Sequence, residues 1–161
     1  MNEKLLKAMN QQICKEFESA YLYLDMAMEM EEAKFKGYAS WLYKQYREEV
    51  SHAENFIRFL ERRRERPVLS DIKAPALKAA DPLEIARMVL EHEQGISASI
   101  NELYDLADEV RDHATMIFLQ SFISEQIEEE DNAQGVIDQF EFAGDSTAAR
   151  YTVDTQLGQR T

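Results

Sequence analysis

Four glutamates in this chain sit where helical amphipathicity calls for hydrocarbon. Advancing 100° per residue from Glu16 brings Leu5, Met9, Gln12, Ala20, Tyr23, Ala27 and Met30 within about 40° of it. The same exercise places Glu49 among Tyr38, Leu42, Gln45, Ala53, Phe56 and Leu60, and Glu93 among Ala86, Val89, Ile100, Tyr104 and Ala107. Glu129 falls among Phe118, Phe122, Ala133, Val136 and Phe140. The four also obey an internal repeat. A shift of 77 residues lays Glu16 on Glu93, Glu49 on Gln126 and His52 on Glu129. Each half therefore offers one Glu and, after 33 residues, a pair of polar positions three apart. Two helical hairpins related by a pseudo-two-fold would bring these groups together at the centre of a bundle, which is how helical bundles build dinuclear metal sites.

The rest of the chain fits that frame. No proline or glycine interrupts residues 3–32, which read as one long helix, and Lys36-Gly37 reads as the end of the following turn. A second helix is predicted from about Tyr38 to Glu65. The stretch from Pro67 to Pro82, with Pro75 between, reads as an extended connection. Asp81-Pro82 supplies an N-cap and an N1 proline for a third helix to about Val110. A fourth runs from about Asp112 to Phe142 before Gly144, and a short fifth from about Ser146 to Leu157. The long link, roughly 15 residues at about 3.3 Å each, can span the roughly 42 Å of a 28-residue helix. Helices two and three are thus expected to run parallel. The fold class is all-α: one domain over residues 1–161, a four-helix bundle (about 3–142) with one long crossover, and a fifth C-terminal helix at about 146–157.

Burying four unpaired carboxylates would cost several kcal/mol apiece or force protonation. No lysine or arginine lies on the four stripes to offset them. Divalent metal would do so, and glutamate and histidine suit iron, manganese or zinc. His52 lies about 60° from Glu49 on the same side of its helix. Valence suggests that Glu16 and His52 complete one ion, Glu93 and Glu129 the other, with Glu49 between them. Five side chains leave both ions open to a small reactant. Tyr23, further along the Glu16 stripe, either serves that chemistry or is a core tyrosine with a satisfied hydroxyl. Gln126 either orients a reactant or fills space. Glu125 lies on the Glu129 stripe and Glu48 and Glu128 toward the stripe margins, where these acids are either solvated charges or part of a third, weaker cation site.

Charge points the same way. Thirty-one acids against 18 bases give a net charge of −13, which repels nucleic acid and anionic membranes and attracts cations. The single cysteine, Cys14, cannot form an intramolecular disulfide, which fits a reducing cytoplasm. No apolar stretch approaches the roughly 20 residues of a membrane span, and the start of the chain has no signal-type core. A cytoplasmic location is expected.

Segments 16–23 (EFESAYLY), 47–52 (REEVSH), 91–94 (EHEQ) and 124–130 (SEQIEEE) together resemble the bacterial non-haem ferritins, and the resemblance covers essentially the whole chain. It implies ferroxidase ligands at Glu16, Glu49, His52, Glu93 and Glu129, with Gln126 as the nearby amide and Tyr23 as the site tyrosine. It places a third iron site on Glu48, Glu125, Glu128 and Glu129. It further implies a ferritin-like homo-oligomeric shell of 24 subunits in which Fe²⁺ is oxidised by O₂ or H₂O₂ and kept as ferric mineral. Bacterioferritins carry a haem-ligating methionine where this chain has Val50-Ser51, so haem is not expected. Animal ferritins line a three-fold channel with carboxylates, and the corresponding positions here are Met116 and Leu119. The fifth helix, with Ala148, Ala149, Tyr151, Val153 and Leu157, has too little apolar surface to stand alone. It needs to dock on its own bundle or on neighbouring subunits, and the resemblance favours neighbours around a four-fold axis. Two other classes stay open: a dimetal oxidase without storage, which needs only a small oligomer, and a structural bundle with adventitious metal.

Overall fold

A computed structural model describes residues 1–77 and 81–160. Among them are five helices and no strand: α1 (Glu3–Glu32), α2 (Lys36–Arg62), α3 (Pro82–Glu109), α4 (His113–Ala143) and α5 (Thr147–Gly158). Local chemistry sets most of the boundaries. The Asn2 side chain accepts from the Lys4 and Leu5 amides to open α1, and Asp81 accepts from Leu83 and Glu84 ahead of Pro82 to open α3. The bundle helices end at a residue with left-handed backbone, Lys34, Arg64, Arg111 and Gly144 in turn. Arg63 forks onto both oxygens of Asp112 at 2.9 and 3.0 Å, tying the end of α2 to the start of α4.

Lys36-Gly37 does not end the turn; both residues lie in the first turn of α2. That helix has no side-chain cap of its own. Its cap comes from far along the chain, where buried Asp154 of α5 accepts from the Tyr38 amide at 2.8 Å. Gly37 makes this possible, because a Cβ there would stand 1.8 Å from the Asp154 carbonyl oxygen. A glycine that reads as turn punctuation is a close-approach site between two helices.

The core divides into two apolar blocks. One joins the end of α1 (Met26, Met30), the start of α2 (Tyr38, Leu42), the start of α3 (Ile85, Val89) and the end of α4 (Val136, Phe140). The other joins the start of α1 (Leu5, Met9), the end of α2 (Phe56, Leu60), the end of α3 (Ile100, Leu103) and the start of α4 (Leu119, Phe122). Helices α2 and α3 thus begin at the same end and run parallel, as the long link requires. That link climbs along α1: the Val68 amide donates to Asn10 Oδ1 at 2.8 Å, Cys14 Sγ lies 3.4 Å from the Asp71 carbonyl, and Leu77 reaches the first block. Residues 78–80 of the predicted extended stretch lie outside the described residues.

Within the chain, α5 docks on its own bundle, one of the two supports expected for it. Val153 and Leu157 are buried in the first block, and Tyr151 stacks on Phe35 at 6.1 Å. Phe142, 97% exposed at the end of α4, keeps an apolar face beside α5 turned outward. Leu119 is fully buried in the second block, facing the bundle interior and not a channel wall. Among the described residues no helix is long and apolar enough to cross a membrane.

Candidate metal centre

Between the two apolar blocks lies a belt of buried polar residues contributed by all four long helices. Glu16 and Glu93 are each 1% exposed and Glu49 is 3% exposed, so three carboxylates are withdrawn from water. Glu16, Glu49 and His52 bring one ligand atom each to within 4.8 Å of one another. His52 Nδ1 lies 3.5 Å from Glu49 Oε2 and 3.9 Å from Glu16 Oε2. Both of those carboxylate oxygens are buried with no hydrogen-bond partner. A buried polar atom left in that condition carries its full desolvation penalty unless something else binds it.

The other oxygens are held in place. Gln12 Nε2 donates to Glu16 Oε1 at 2.6 Å, and Gln12 is in turn held by Ser99, whose hydroxyl receives exposed Lys15 Nζ at 2.7 Å. Glu93 Oε1 accepts from the Tyr23 hydroxyl, and its Oε2 accepts from Gln126 Nε2 at 2.9 Å. Tyr23 and Gln126 therefore both act on Glu93. Next to it, His92 is pushed down to about 4 by burial and meets Ser19 Oγ at 2.8 Å. A neutral imidazole beside an acid belt adds no competing cation.

Glu129 is the exception to the sequence reading: it is half-buried, not central. The inward face of α4 runs through Leu119, Phe122, Gln126, Ala133, Val136, Ile137 and Phe140. Gln126 is its buried polar residue at mid-length, and Glu129, three residues on, sits at the half-buried side of that face. This restores the internal repeat in three dimensions, since buried Gln126 matches buried Glu49, and Glu129 matches His52. Gln45 Nε2 donates to Glu129 Oε2 at 2.8 Å and fixes the carboxylate at the margin of the belt.

The expected third site is not assembled. Glu125 turns to His52, with its Oε1 3.2 Å from Nε2. Both oxygens of Glu48 are held at 3.1 Å by Nη2 of Arg160, which follows α5. Glu128 is exposed. Glu125 and Glu48 each take a different positive or proton-bearing partner, and Glu128 faces solvent, so the three do not share a centre. Among the described residues, the cluster suited to an ion is Glu16, Glu49 and His52. The absence of any base from the four stripes also needs qualification, because Arg160 reaches the belt from outside them. Arg160 and Gln45 had no assigned role in the sequence; Gln45 lies on the Glu49 stripe, but Arg160 gives no periodic signal.

Burial sets the electrostatics. It pushes Glu16 up to about 8, helped by the neighbouring Glu49 charge, and Glu129 up to about 7. Glu49 and Glu93 are raised for the same reason. Burial alone would lower His52, but the facing carboxylates of Glu125, Glu49 and Glu16 outweigh it and lift the ring to about 11. The belt thus holds protons at neutral pH that a divalent ion would displace.

Comparison with known proteins agrees with this geometry. A family model for the ferritin-like domain matches residues 6–143. A curated bacterial non-heme ferritin from Bacteroides fragilis strain 638R is 39% identical over 160 residues, covering 99% of each chain. One from Campylobacter jejuni is 32% identical over 157 residues, covering 98% of this chain and 94% of its own. Among solved structures, an open pore ferritin from the hyperthermophilic archaeon Archaeoglobus fulgidus superposes with a TM-score of 0.98 at 34% identity, covering 100% of this chain and 99% of that one. A closed form of the same ferritin, engineered by site-directed mutagenesis, gives 0.97 at 35% identity, covering 100% and 98%.

Proposed function

This chain belongs to the ferritin family, the iron-storage proteins, and we propose that it is a ferroxidase that loads its own store. In this reading the 161-residue chain is one domain working in the cytoplasm. It takes Fe²⁺ as substrate at a dinuclear site within each subunit, passes the electrons to O₂ or H₂O₂, and keeps the product as ferric mineral in a 24-subunit shell. Glu16 and His52 hold one ion, Glu93 and Glu129 the other, and Glu49 lies between them. The observation that carries the proposal is the pair of orphaned oxygens, Glu16 Oε2 and Glu49 Oε2, both aimed at His52 Nδ1 in a dry belt. A third buried, unpartnered atom, the Tyr38 hydroxyl, stands alone in the first apolar block; at the belt two such acceptors converge on one imidazole nitrogen, the arrangement a cation would satisfy.

The surrounding residues have definite tasks. Gln12 holds Glu16 by one oxygen and leaves the other free. Tyr23 and Gln126 engage both oxygens of Glu93, one each, and so set the plane of its carboxylate. Glu125 accepts from His52 Nε2 and so fixes Nδ1 as the nitrogen facing the acids, the arrangement by which a second carboxylate orients a ligating histidine. Anaerobic titration should show two tight Fe²⁺ per chain, both oxidised on admission of oxygen, and native sizing should give a closed shell. Fewer than one tight ion per chain, or a particle of only a few subunits, would reject the proposal.

The pH dependence follows from the same groups. Glu16 at about 8 and Glu129 at about 7 lie above the ordinary value of 4.5. In metal-free protein their protonated forms favour folding. That contribution is complete below about pH 4.5 and is lost as pH rises through about 7 and then 8. Metal binding has the opposite slope, because it needs these acids and His52 deprotonated. The rise in Tm caused by redox-inert Zn²⁺ should therefore be larger at pH 8 than at pH 6. Calorimetry showing an equal or smaller rise at pH 8 would contradict the assignment of these groups as ligands.

A further inference from the structure

The chain end after α5 returns to the metal belt. Arg160 Nη1 donates to Gln45 Oε1, its Nη2 holds Glu48, and the guanidinium lies 5.1 Å over the Trp41 ring. Residues 41, 45 and 48 form one face of α2, so a single side chain spans two turns of that helix. Gln45 passes the constraint inward, because its Nε2 donates to Glu129 Oε2 at 2.8 Å. A primary amide has one acceptor end and one donor end. With the acceptor end taken by Arg160, the donor end has to face Glu129.

From this geometry we propose that Arg160 is a positioning residue for Glu129, acting through Gln45, and so sets how tightly the second ion is held. The proposal rests on the dinuclear reading above and adds a residue to it. It also makes the seating of α5 matter at the metal belt. Gly158 packs so closely on Gly37 that a Cβ on Gly158 would lie 2.9 Å from the Gly37 Cα, and Arg160 is two residues beyond that contact. Glu129 is the half-buried ligand and has the least packing to hold it, so an external brace counts for more there than at Glu16 or Glu93.

The test uses the full chain and anaerobic Co²⁺, whose absorption reports ligand geometry without oxidation. Wild type is expected to bind two ions per chain. Arg160→Ala should leave the first as tight as before, weaken the second by about tenfold, the lower range for loss of an orienting partner, and alter the second ion's spectrum. Gln45→Ala should do the same, and the double variant should be no worse than Gln45→Ala alone, since both act on one carboxylate. Arg160→Lys, which restores the charge but not the fork, should not recover the second site. Trp41, the only tryptophan, should change its emission in Arg160→Ala. Equal affinity for both ions in Arg160→Ala, full recovery by lysine, or additive losses in the double variant would overturn the assignment. Should Arg160→Ala not assemble, Glu48→Gln loosens the guanidinium without touching α5, and an unchanged second ion there would overturn it equally. Uptake of fewer than two Co²⁺ by wild type would instead reject the dinuclear reading itself.

Discussion

Glu49→Ala is expected to slow Fe²⁺ oxidation by about two orders of magnitude, more than Glu16→Ala or Glu93→Ala. Glu49 stands at the meeting point of the belt. Its Oε2 is unpartnered and 3.5 Å from His52 Nδ1, and its charge couples to both Glu16 and Glu93. A terminal ligand serves one ion, and water can partly replace it. A carboxylate between two ions sets their spacing as well as their affinity. Alanine also removes one of the charges that offsets two divalent cations in a site from which water is excluded. Glu93 differs, because Tyr23 and Gln126 already engage both its oxygens and would remain to order water in its place. Stopped-flow oxidation at two Fe²⁺ per chain compares the three variants. Near-wild-type initial rates in Glu49→Ala, with slower rates in the other two, would remove Glu49 from the central position.

Gly37→Ala should be the most destabilising single methyl that can be added to this chain. The new carbon would stand 1.8 Å from a backbone oxygen, a separation no rotamer can relieve, so α5 has to move. Moving it forfeits the Asp154 cap on α2 and the burial of Val153 and Leu157. Overpacking of this kind costs about 3 kcal/mol, and the loss of a cap adds about 1. For a chain of this size that corresponds to a fall in Tm of roughly 8–16 °C. Gly95→Ala is the matched control, since a Cβ there meets nothing within 4 Å and replaces a helical glycine. It should raise stability by about 0.5–1 kcal/mol. Comparable Tm values for the two variants would show that α5 is not seated as described.

How legible the molecule was depended on whether a feature lay along one helix or between several. The 3.6-residue period exposed Glu16, Glu49 and Glu93, because each sits on the axis of its own helix's apolar stripe. It set Glu129 at the centre of the α4 stripe, whereas in the structure Gln126 is the buried polar residue there and Glu129 is half-buried. Gln126 was legible only through the 77-residue repeat, which pairs it with Glu49. Gly37 shows the limit more sharply. Glycine after lysine is ordinary turn punctuation, and nothing local tells that Asp154 of α5 will press against it from 117 residues away. Arg160 is the same case at the metal belt. The acids expected at a third site lie close to the proposed ligands in sequence, yet Glu48 pairs with Arg160, Glu125 with His52, and Glu128 faces solvent, because side chains on one helix still choose among neighbours from elsewhere in the chain.

The split of the core has a mechanical consequence. Two blocks of hydrocarbon grip the four helices at either end, and between them the helices touch mainly through hydrogen bonds and facing acids. Hydrocarbon packing does not depend on pH, whereas the contacts of the belt depend on which acids keep their protons. The bundle is therefore built as two apolar collars joined by a polar waist. A cation bound in that waist by the proposed ligands would join the helices that supply them, so that loading the site would also stiffen the middle of the bundle.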